Sequence, residues 1–491
     1  MDLHSFGMHI GTEKFVIVQL GFGILNNKSE IVIPAYTHYR GQVVDKCGKK
    51  AKDNVTSNYE YLFFDTKRMI GQDINSQLIK DYVNHWPFSI DCKPDDQFRK
   101  VYYRNSDGEP ICPIKVIGDL LEPALKDKSE NPTTIAYPSN FTLTQKLALM
   151  KAVEKASIKI DKLILVPRAI AGMMSYHDAV KPIKDTTKFV FIFGAGAVET
   201  AVIKYFHSSK TYQVLVSNGD STLGGRDFDL VIAKIIQEKL ISQLGSEDFQ
   251  KIRQKSKVRF KILKVASEIK EALSTTETET LPLSDIDENF EDDEITSLEF
   301  DQRSENLVQR IREICQLTVS EANNAKITIN EGVLFGMASN MTFVKNMIQD
   351  ILGTKIDIHK STSMRQDFAR GAALSPLFNT NNIIYYSIGI ELPNKEIQVI
   401  FGRNLPLPSK ISVECEVIDN DHLVIPIYEG ILPAMSDNTP IADLVIEIPK
   451  GQMGIVIINF SLDESGILHV KAEMEEKQEL TSRINYRYQF D

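Results

Sequence analysis

The sequence predicts an α/β region followed by an all-β sandwich. Two observations carry this. Apolar, strand-like runs alternate with helix-period stretches through the first three-quarters of the chain. Beyond Ala373 the helical patterning ends and short alternating strands succeed one another.

The strands of the first region are read from Phe15 to Leu20 (FVIVQL), Lys162 to Val166 (KLILV), Lys188 to Phe193 (KFVFIF) and Gly332 to Phe335 (GVLF). Between them, TLTQKLALMKAVEKASI from Thr142 repeats Leu147, Met150 and Val153 at helical spacing, with Thr142 or Thr144 as its cap. A second helix is expected over NLVQRIREICQLTVSEA from Asn306. From Glu277 to Gln302 there are eleven acidic residues and no Lys or Arg, which reads as a solvated surface. LSPLFNTNN from Leu374 lacks any period and is expected to link the two regions. The boundaries that follow are 1–375 for the first domain, 376–386 for the linker and 387–491 for the second. The later strands run EIQVIF, KISVECEVI, LVIPIYEG, ADLVIEIP, GIVIINFSL, GILHVKAEM and RINYRYQF, with Asp463 to Gly466 as a hairpin turn.

At 491 residues the chain exceeds what one compact core serves. A formal net charge of −10 argues against general nucleic-acid affinity, which needs clustered Lys and Arg, and leaves proteins and small molecules as partners. No secretory signal and no membrane span are read. Cys47, Cys92, Cys112, Cys315 and Cys415 form no Cys-x-x-Cys pair, so neither a zinc site nor a disulfide framework is expected and the cytosol is the default compartment.

Glycine turns recur at strand ends: Gly7 to Thr12 near the start, Gly194-Ala195-Gly196 within FIFGAGAVET, and NGDSTLGGRDFD from Asn218. With these, in order, stand FDTKRMIG (Phe64 to Gly71), HWPF (His85 to Phe88), YPSNFTLTQK (Tyr137 to Lys146), EIKEALSTT (Glu268 to Thr276), VLFGMASN (Val333 to Asn340) and RGAAL (Arg370 to Leu374). SIGIE (Ser387 to Glu391), GRNLPLPSK (Gly402 to Lys410), IYEG (Ile427 to Gly430) and FSLDESGILHVKAE (Phe460 to Glu473) follow. In this order the chain resembles the DnaK-type, 70 kDa heat-shock chaperone family from about Gly7 to about Glu473. The resemblance implies an actin-like ATPase fold, a two-lobed nucleotide-binding domain, ahead of a peptide-binding β-sandwich. No counterpart of the family's C-terminal helical lid is read, and a peptide bound without it is expected to leave quickly.

The departures matter as much. The Asp of the family's first phosphate loop aligns with His9, the Asp before its second glycine-rich turn with Ile192, and the Glu near its attacking water with Val166. Its phosphate-touching Thr aligns with Ala197 and a Glu after the paired glycines with Arg226. Of the catalytic set only Lys67 is kept. Phosphoryl transfer rests on positioning and charge neutralisation, which apolar side chains do not supply, so hydrolysis is expected to be slow or absent and magnesium to lack its organising carboxylates.

Binding of ATP or ADP is a separate matter. Backbone N–H groups at Gly11, Thr12, Gly194, Gly196, Gly224 and Gly225 are the candidate phosphate cradle, with Lys67 as its charge and His9 and Arg226 as replacements for the metal. On the adenosine side Lys270, Ser274 and Gly336 match the family, whereas Ser267, Glu271 and Met337 depart from it. No protein ligands for a metal are proposed. The aligned linker, Asn379-Thr380-Asn381-Asn382, is polar where the family's is apolar, and is expected to gain little by docking. Ile388, Ile390, Cys415, Leu423 and Ile425 align with peptide-pocket positions and equally suit a sandwich core, with Leu392 and Pro393 near the arch over the peptide.

The resemblance thus implies a chaperone or co-chaperone that binds nucleotide with little or no turnover, partnering or regulating another chaperone. His9 in the first loop also resembles the ribosome-associated subgroup that pairs with a J-domain protein. Unfolded or nascent polypeptide, a J-domain protein, another chaperone and the ribosome are the implied partners. The alternatives are a slow cycling ATP-dependent chaperone for exposed hydrophobic segments, and an actin-fold scaffold with no ligand.

Overall fold

The computed structural model describes residues 3–22, 28–94, 96, 98–126, 132–392, 395–417, 421–431, 434, 438–474, 478–488 and 490. Pro393 lies outside them. Two sheets organise the first region. One has the order Leu163–Pro167, Thr133–Tyr137, Leu3–Ile10, Lys14–Phe22, Lys28–Pro34. Its first three strands are parallel and its last two antiparallel extensions. The other has the order Asp357–Lys360, Glu331–Phe335, Thr186–Phe193, Val198–Phe206, Thr211–Asp220, Asn379–Asn381. Each sheet is the floor of one lobe.

Thr186–Phe193 is buried along its whole length, which is why its sequence reads as an unbroken apolar run rather than an alternation. Helices Arg168–Val180 and Asp367–Leu374 pack together between the lobes. Gly371 makes this possible, since a Cβ there would stand 1.7 Å from the Ala171 carbonyl oxygen. Thr142 caps helix Leu143–Lys155 in a reciprocal capping box with Gln145. The helix expected from Asn306 runs from Ser297 to Asn324, because Thr296 rather than a later residue accepts the first free N–H. Its first turn therefore absorbs the end of the acidic run.

The second region has two antiparallel sheets. One orders Ile397–Phe401, Ser387–Glu391, His422–Gly430, Thr439–Glu447 and Ser482–Tyr486. The other orders Ser409–Val417, Gly454–Leu462, Leu468–Met474 and Glu479–Leu480. Ile388, Ile427 and Leu444 of the first share a core with Val456, Ile458 and Phe460 of the second. In the Asp463 hairpin, the carboxylate accepts from Ser465 N–H at 2.9 Å and Ile467 N–H at 3.0 Å, and Gly466 takes the positive φ of +74°.

The linker corrects the sequence expectation. Asn379–Asn381 pairs in parallel with Thr211–Gln213 and completes the second lobe's sheet. The ladder uses backbone groups, so polar side chains do not prevent it. Asn382 is buried and donates to the Tyr137 hydroxyl at 3.1 Å, while Ile384 joins the apolar core.

Docking continues beyond the linker. The Tyr385 hydroxyl donates to Gly219 O at 3.0 Å and that of Tyr386 to Asn140 O at 3.0 Å. Arg403 donates to Ser217 O at 3.1 Å. Leu143 N–H, the first amide of its helix, donates to both oxygens of Glu429 at 2.9 and 3.0 Å. A carboxylate of the second region thus caps a helix of the first. One apolar cluster runs through both regions, with Ile135, Phe141 and Leu143 in the same core as Ile388 and Ile427.

Candidate functional site

Three glycine turns converge between the lobes. Gly11 and Thr12 join the first two strands of lobe one, Gly194 to Ala197 join two strands of lobe two, and Gly224 opens helix Gly225–Leu244. Their contact is so close that only glycine fits. A Cβ on Gly196 would lie 2.2 Å from Thr12 Oγ1, and one on Gly224 would lie 2.5 Å from Ala197 N.

The amides named from the sequence are consequently not equivalent. Gly11 N–H donates to Lys14 O and Gly194 N–H to Ala197 O, both at 3.1 Å. Gly225 N–H donates to Gly194 O at 2.9 Å, and Gly224 N–H to Asp227 Oδ2 at 2.6 Å. Those four are already engaged by the chain itself. Thr12 and Gly196 alone of the six have no protein acceptor among the described residues. Three of these acceptors lie three residues along the chain, within the donor's own turn, and only Gly225 reaches another loop.

Lys67 sits on the turn Thr66–Met69 and points its amine into the cleft, 5.3 Å over the ring of Phe141. Burial, then the Arg168 guanidinium, push its pKa well below the ordinary lysine value. His9 packs edge-on against Phe368 at 4.9 Å, and its Nε2 has no hydrogen-bond partner among the described residues. Burial and the neighbouring Lys67, Arg168 and Lys14 charges drive its pKa well down, so the ring is neutral. It therefore does not supply the positive charge assigned to it from sequence.

Arg226 is likewise elsewhere. It is buried, with Nε 3.0 Å from Asp65 and Nη1 3.2 Å from Asp229, and it approaches Glu13 at 3.7 Å. It lines a second cavity of about 570 Å³ beside Tyr36, Tyr59, Phe64 and Phe260. Three carboxylates neutralise it, which removes it as a phosphate counter-charge. Lys270 is paired with the same Asp229 and donates to Gly225 O at 3.2 Å. The Ser274 hydroxyl donates back to Lys270 O at 3.2 Å. Gly336 holds φ +83°, where a side chain would strike Phe193, and Met337 stands half-exposed at the cleft edge.

The cleft itself encloses about 340 Å³ and is lined by His9, Gly11, Thr12, Lys67, Gly194, Gly196, Gly336 and Met337 among others. This is within the usual size for a small-molecule pocket. Val166 and Ile192 are buried among apolar neighbours such as Ala136 and Phe335, and Ala197 adds only a methyl group.

Five charged residues at this cleft, Glu199, Arg168, Glu13, Lys14 and Arg365, were not among the sequence candidates. Glu199 pairs with Arg168 at 2.5 Å, both almost wholly buried, in poor hydrogen-bond alignment that leaves both carboxylate oxygens unmatched. Glu13 accepts from Lys52 at 3.3 Å, and the Arg226 guanidinium holds its carboxyl down at about 2. Lys14 and Arg365 face the same cavity without a carboxylate in ion-pair range among the described residues, and burial and Arg365 lower the Lys14 pKa. Glu199 was visible as the lone carboxylate of its loop, whereas nothing in Val-Pro-Arg signals that Arg168 reaches the other sheet. Among the described residues no three His, Cys, Asp or Glu side chains gather in a metal-holding group.

In the second region Ile388, Ile390 and Ile425 are buried in the shared core, and Leu423 and Cys415 pack against it half-buried. Leu392 is also half-buried against this core. Among the described residues no helix is long and apolar enough to cross a membrane.

Comparison with known proteins fits the cleft and its glycine turns. The family model described as Hsp70 protein matches residues 6–489. The chain is 26% identical over 482 residues to the chaperone protein HscA of Buchnera aphidicola, covering 94% of this chain and 74% of that one. It is 24% identical over 503 residues to the chaperone protein DnaK of Deinococcus proteolyticus, covering 96% and 76% respectively.

Proposed function

The chain belongs to the Hsp70 family, and from that premise we propose that it is a chaperone-system protein that holds ATP or ADP with little or no hydrolysis and partners or regulates another chaperone. One observation carries this reading: the positions that would organise a metal and an attacking water are Val166, Ile192 and Ala197, while the neighbouring carboxylate, Glu199, is held by Arg168. An apolar wall takes no proton from water, and an arginine-paired carboxylate is a poor ligand for a divalent ion. The residues present do not fit magnesium.

They do fit an anion. Lys67, Lys14 and Arg365 face the cleft without a carboxylate partner among the described residues, and Thr12 and Gly196 keep amides for a phosphate oxygen. Cations gathered in one cleft without an ion-paired carboxylate favour a polyanion between them, although Glu13 and Glu271 line the same cleft. Calorimetry with ATP, with and without magnesium, tests the reading while turnover is followed in the same sample. Binding that is insensitive to magnesium and gives no turnover is expected; magnesium-dependent hydrolysis would favour the slow cycling chaperone instead.

A ligand-free scaffold is the second reading, favoured by the four loop amides that the protein itself engages. Absence of any nucleotide heat would select it. The C-terminal region, as a peptide-binding β-sandwich in which Ile388, Ile390, Cys415, Leu423 and Ile425 are retained, is proposed to meet unfolded or nascent polypeptide. A J-domain protein or the ribosome is the proposed docking partner, and stable co-purification of either is the check.

A further inference from the structure

Three arginines cross between the lobes and are buried there. Arg68, from lobe one, donates to Asp227 Oδ1 at 3.0 Å and to Thr222 O at 2.8 Å on lobe two. Arg226, from lobe two, reaches Asp65 at 3.0 Å and Glu13 at 3.7 Å on lobe one. Arg168, at the end of the first sheet, meets Glu199 on the second at 2.5 Å. Tyr82 of lobe one adds a 2.9 Å hydrogen bond to Asp227.

The outer ends of the lobes touch as well. The Ser256 hydroxyl donates to Glu60 at 2.8 Å, Arg259 to Pro87 O at 3.1 Å, and Phe260 stacks at 5.0 Å from Tyr59. These contacts join lobe one to helix Ser256–Ala272 of lobe two.

We propose that these arginine bridges hold the two lobes closed by themselves, so that the linker and the C-terminal region dock without waiting for nucleotide. A buried arginine between carboxylates of opposite lobes resists opening because separation would expose or orphan charges on both sides. Closed lobes set lobe one beside the strand Thr211–Asp220 of lobe two, on whose edge Asn379–Asn381 forms its ladder, so that the second region meets both lobes at once. The Tyr385, Arg403 and Glu429 contacts then follow from the same relative placement. The inference does not rest on nucleotide binding, because Glu13 already places a carboxylate between Lys52 and Arg226.

Two intrinsic reporters make the test direct. The Phe378–Asn379 bond is a chymotrypsin site whose amide donates to Lys210 O at 3.1 Å. Trp86, the sole tryptophan, donates from its indole N–H to Asp65 at 3.1 Å, the carboxylate that also holds Arg226. Cleavage of the full chain is compared with that of a free peptide spanning 376–386, with and without magnesium–ATP. The expected result is at least about tenfold protection in the ligand-free protein, with neither protection nor Trp86 emission altered by magnesium–ATP. Protection below tenfold without ligand, or protection acquired only on adding magnesium–ATP, overturns the proposal. A paired variant, Asp65→Asn with Arg226→Gln, removes the charges while keeping hydrogen-bonding groups. It is expected to raise cleavage about tenfold; unchanged cleavage in a folded variant, judged by circular dichroism, also overturns it. Calorimetry on the same samples scores nucleotide binding separately, so the failure of either reading is recognised independently of the other.

Discussion

The glycine cleft and the linker have both exchanged side chains relative to the family they belong to, and with opposite outcomes. In the linker, polar Asn379 to Asn381 still forms a sheet strand, because a parallel ladder reads backbone groups and is indifferent to the side chains. In the cleft the glycines persist, yet four of six loop amides donate to the chain itself, and Val166 and Ile192 are buried among apolar neighbours. A backbone contact survives substitution when its partner is fixed backbone. A backbone donor kept for a ligand survives only if nothing nearer accepts it.

Charge makes the same contrast. Arg226 and Arg168 bring positive charge to the cleft region, but each is paired with carboxylates of its own and is neutralised before any ligand could use it. Lys67, Lys14 and Arg365 are the cations that stay available to a ligand.

The largest test of this difference is Arg226→Ala. It leaves Asp65 and Asp229 buried without their arginine, and urea unfolding followed through Trp86 is expected to show a loss of about 3–5 kcal/mol. A loss under about 1 kcal/mol would mean that the bridge is not structural.

Next comes the linker. Asn379→Pro removes the N–H that donates to Lys210 O together with the side-chain amide that donates to Ser209 O, and should weaken docking by about 1–3 kcal/mol, read as faster amide hydrogen exchange from Thr380 to Asn382. If a side-chain change such as Thr380→Ala had the larger effect, the backbone account of docking would fail.

The interface pair provides a pH test. Burial pushes the Glu429 carboxyl from 4.5 up to about 7. Between those values the folded protein holds a proton that the unfolded chain has released, so stability falls as pH rises through the window. Glu429→Gln should flatten that slope by up to about 1.4 kcal/mol per pH unit, measured by denaturation at pH 5 and 7. The smallest effect is expected at Lys67→Ala, which should lower nucleotide affinity about tenfold in calorimetry without altering unfolding, since its amine has no carboxylate partner among the described residues to orphan.

The sequence by itself determined the elements and the family. Strand Thr186–Phe193, the Thr142-capped helix and the Asp463 hairpin are each dictated by neighbours within a few residues, through apolar run, capping box and turn chemistry. The proposal that Val166, Ile192 and Ala197 stand at the family's reactive positions rests on motif order in the sequence alone. Only the tertiary structure decided where charges and amides go. Arg168 meets Glu199 and Arg226 meets Asp65 across separations of 31 and 161 positions, and the acceptor of Gly225 is the Gly194 carbonyl of another loop. Such pairings depend on distance in space and on exclusion of water, neither of which is written in local sequence.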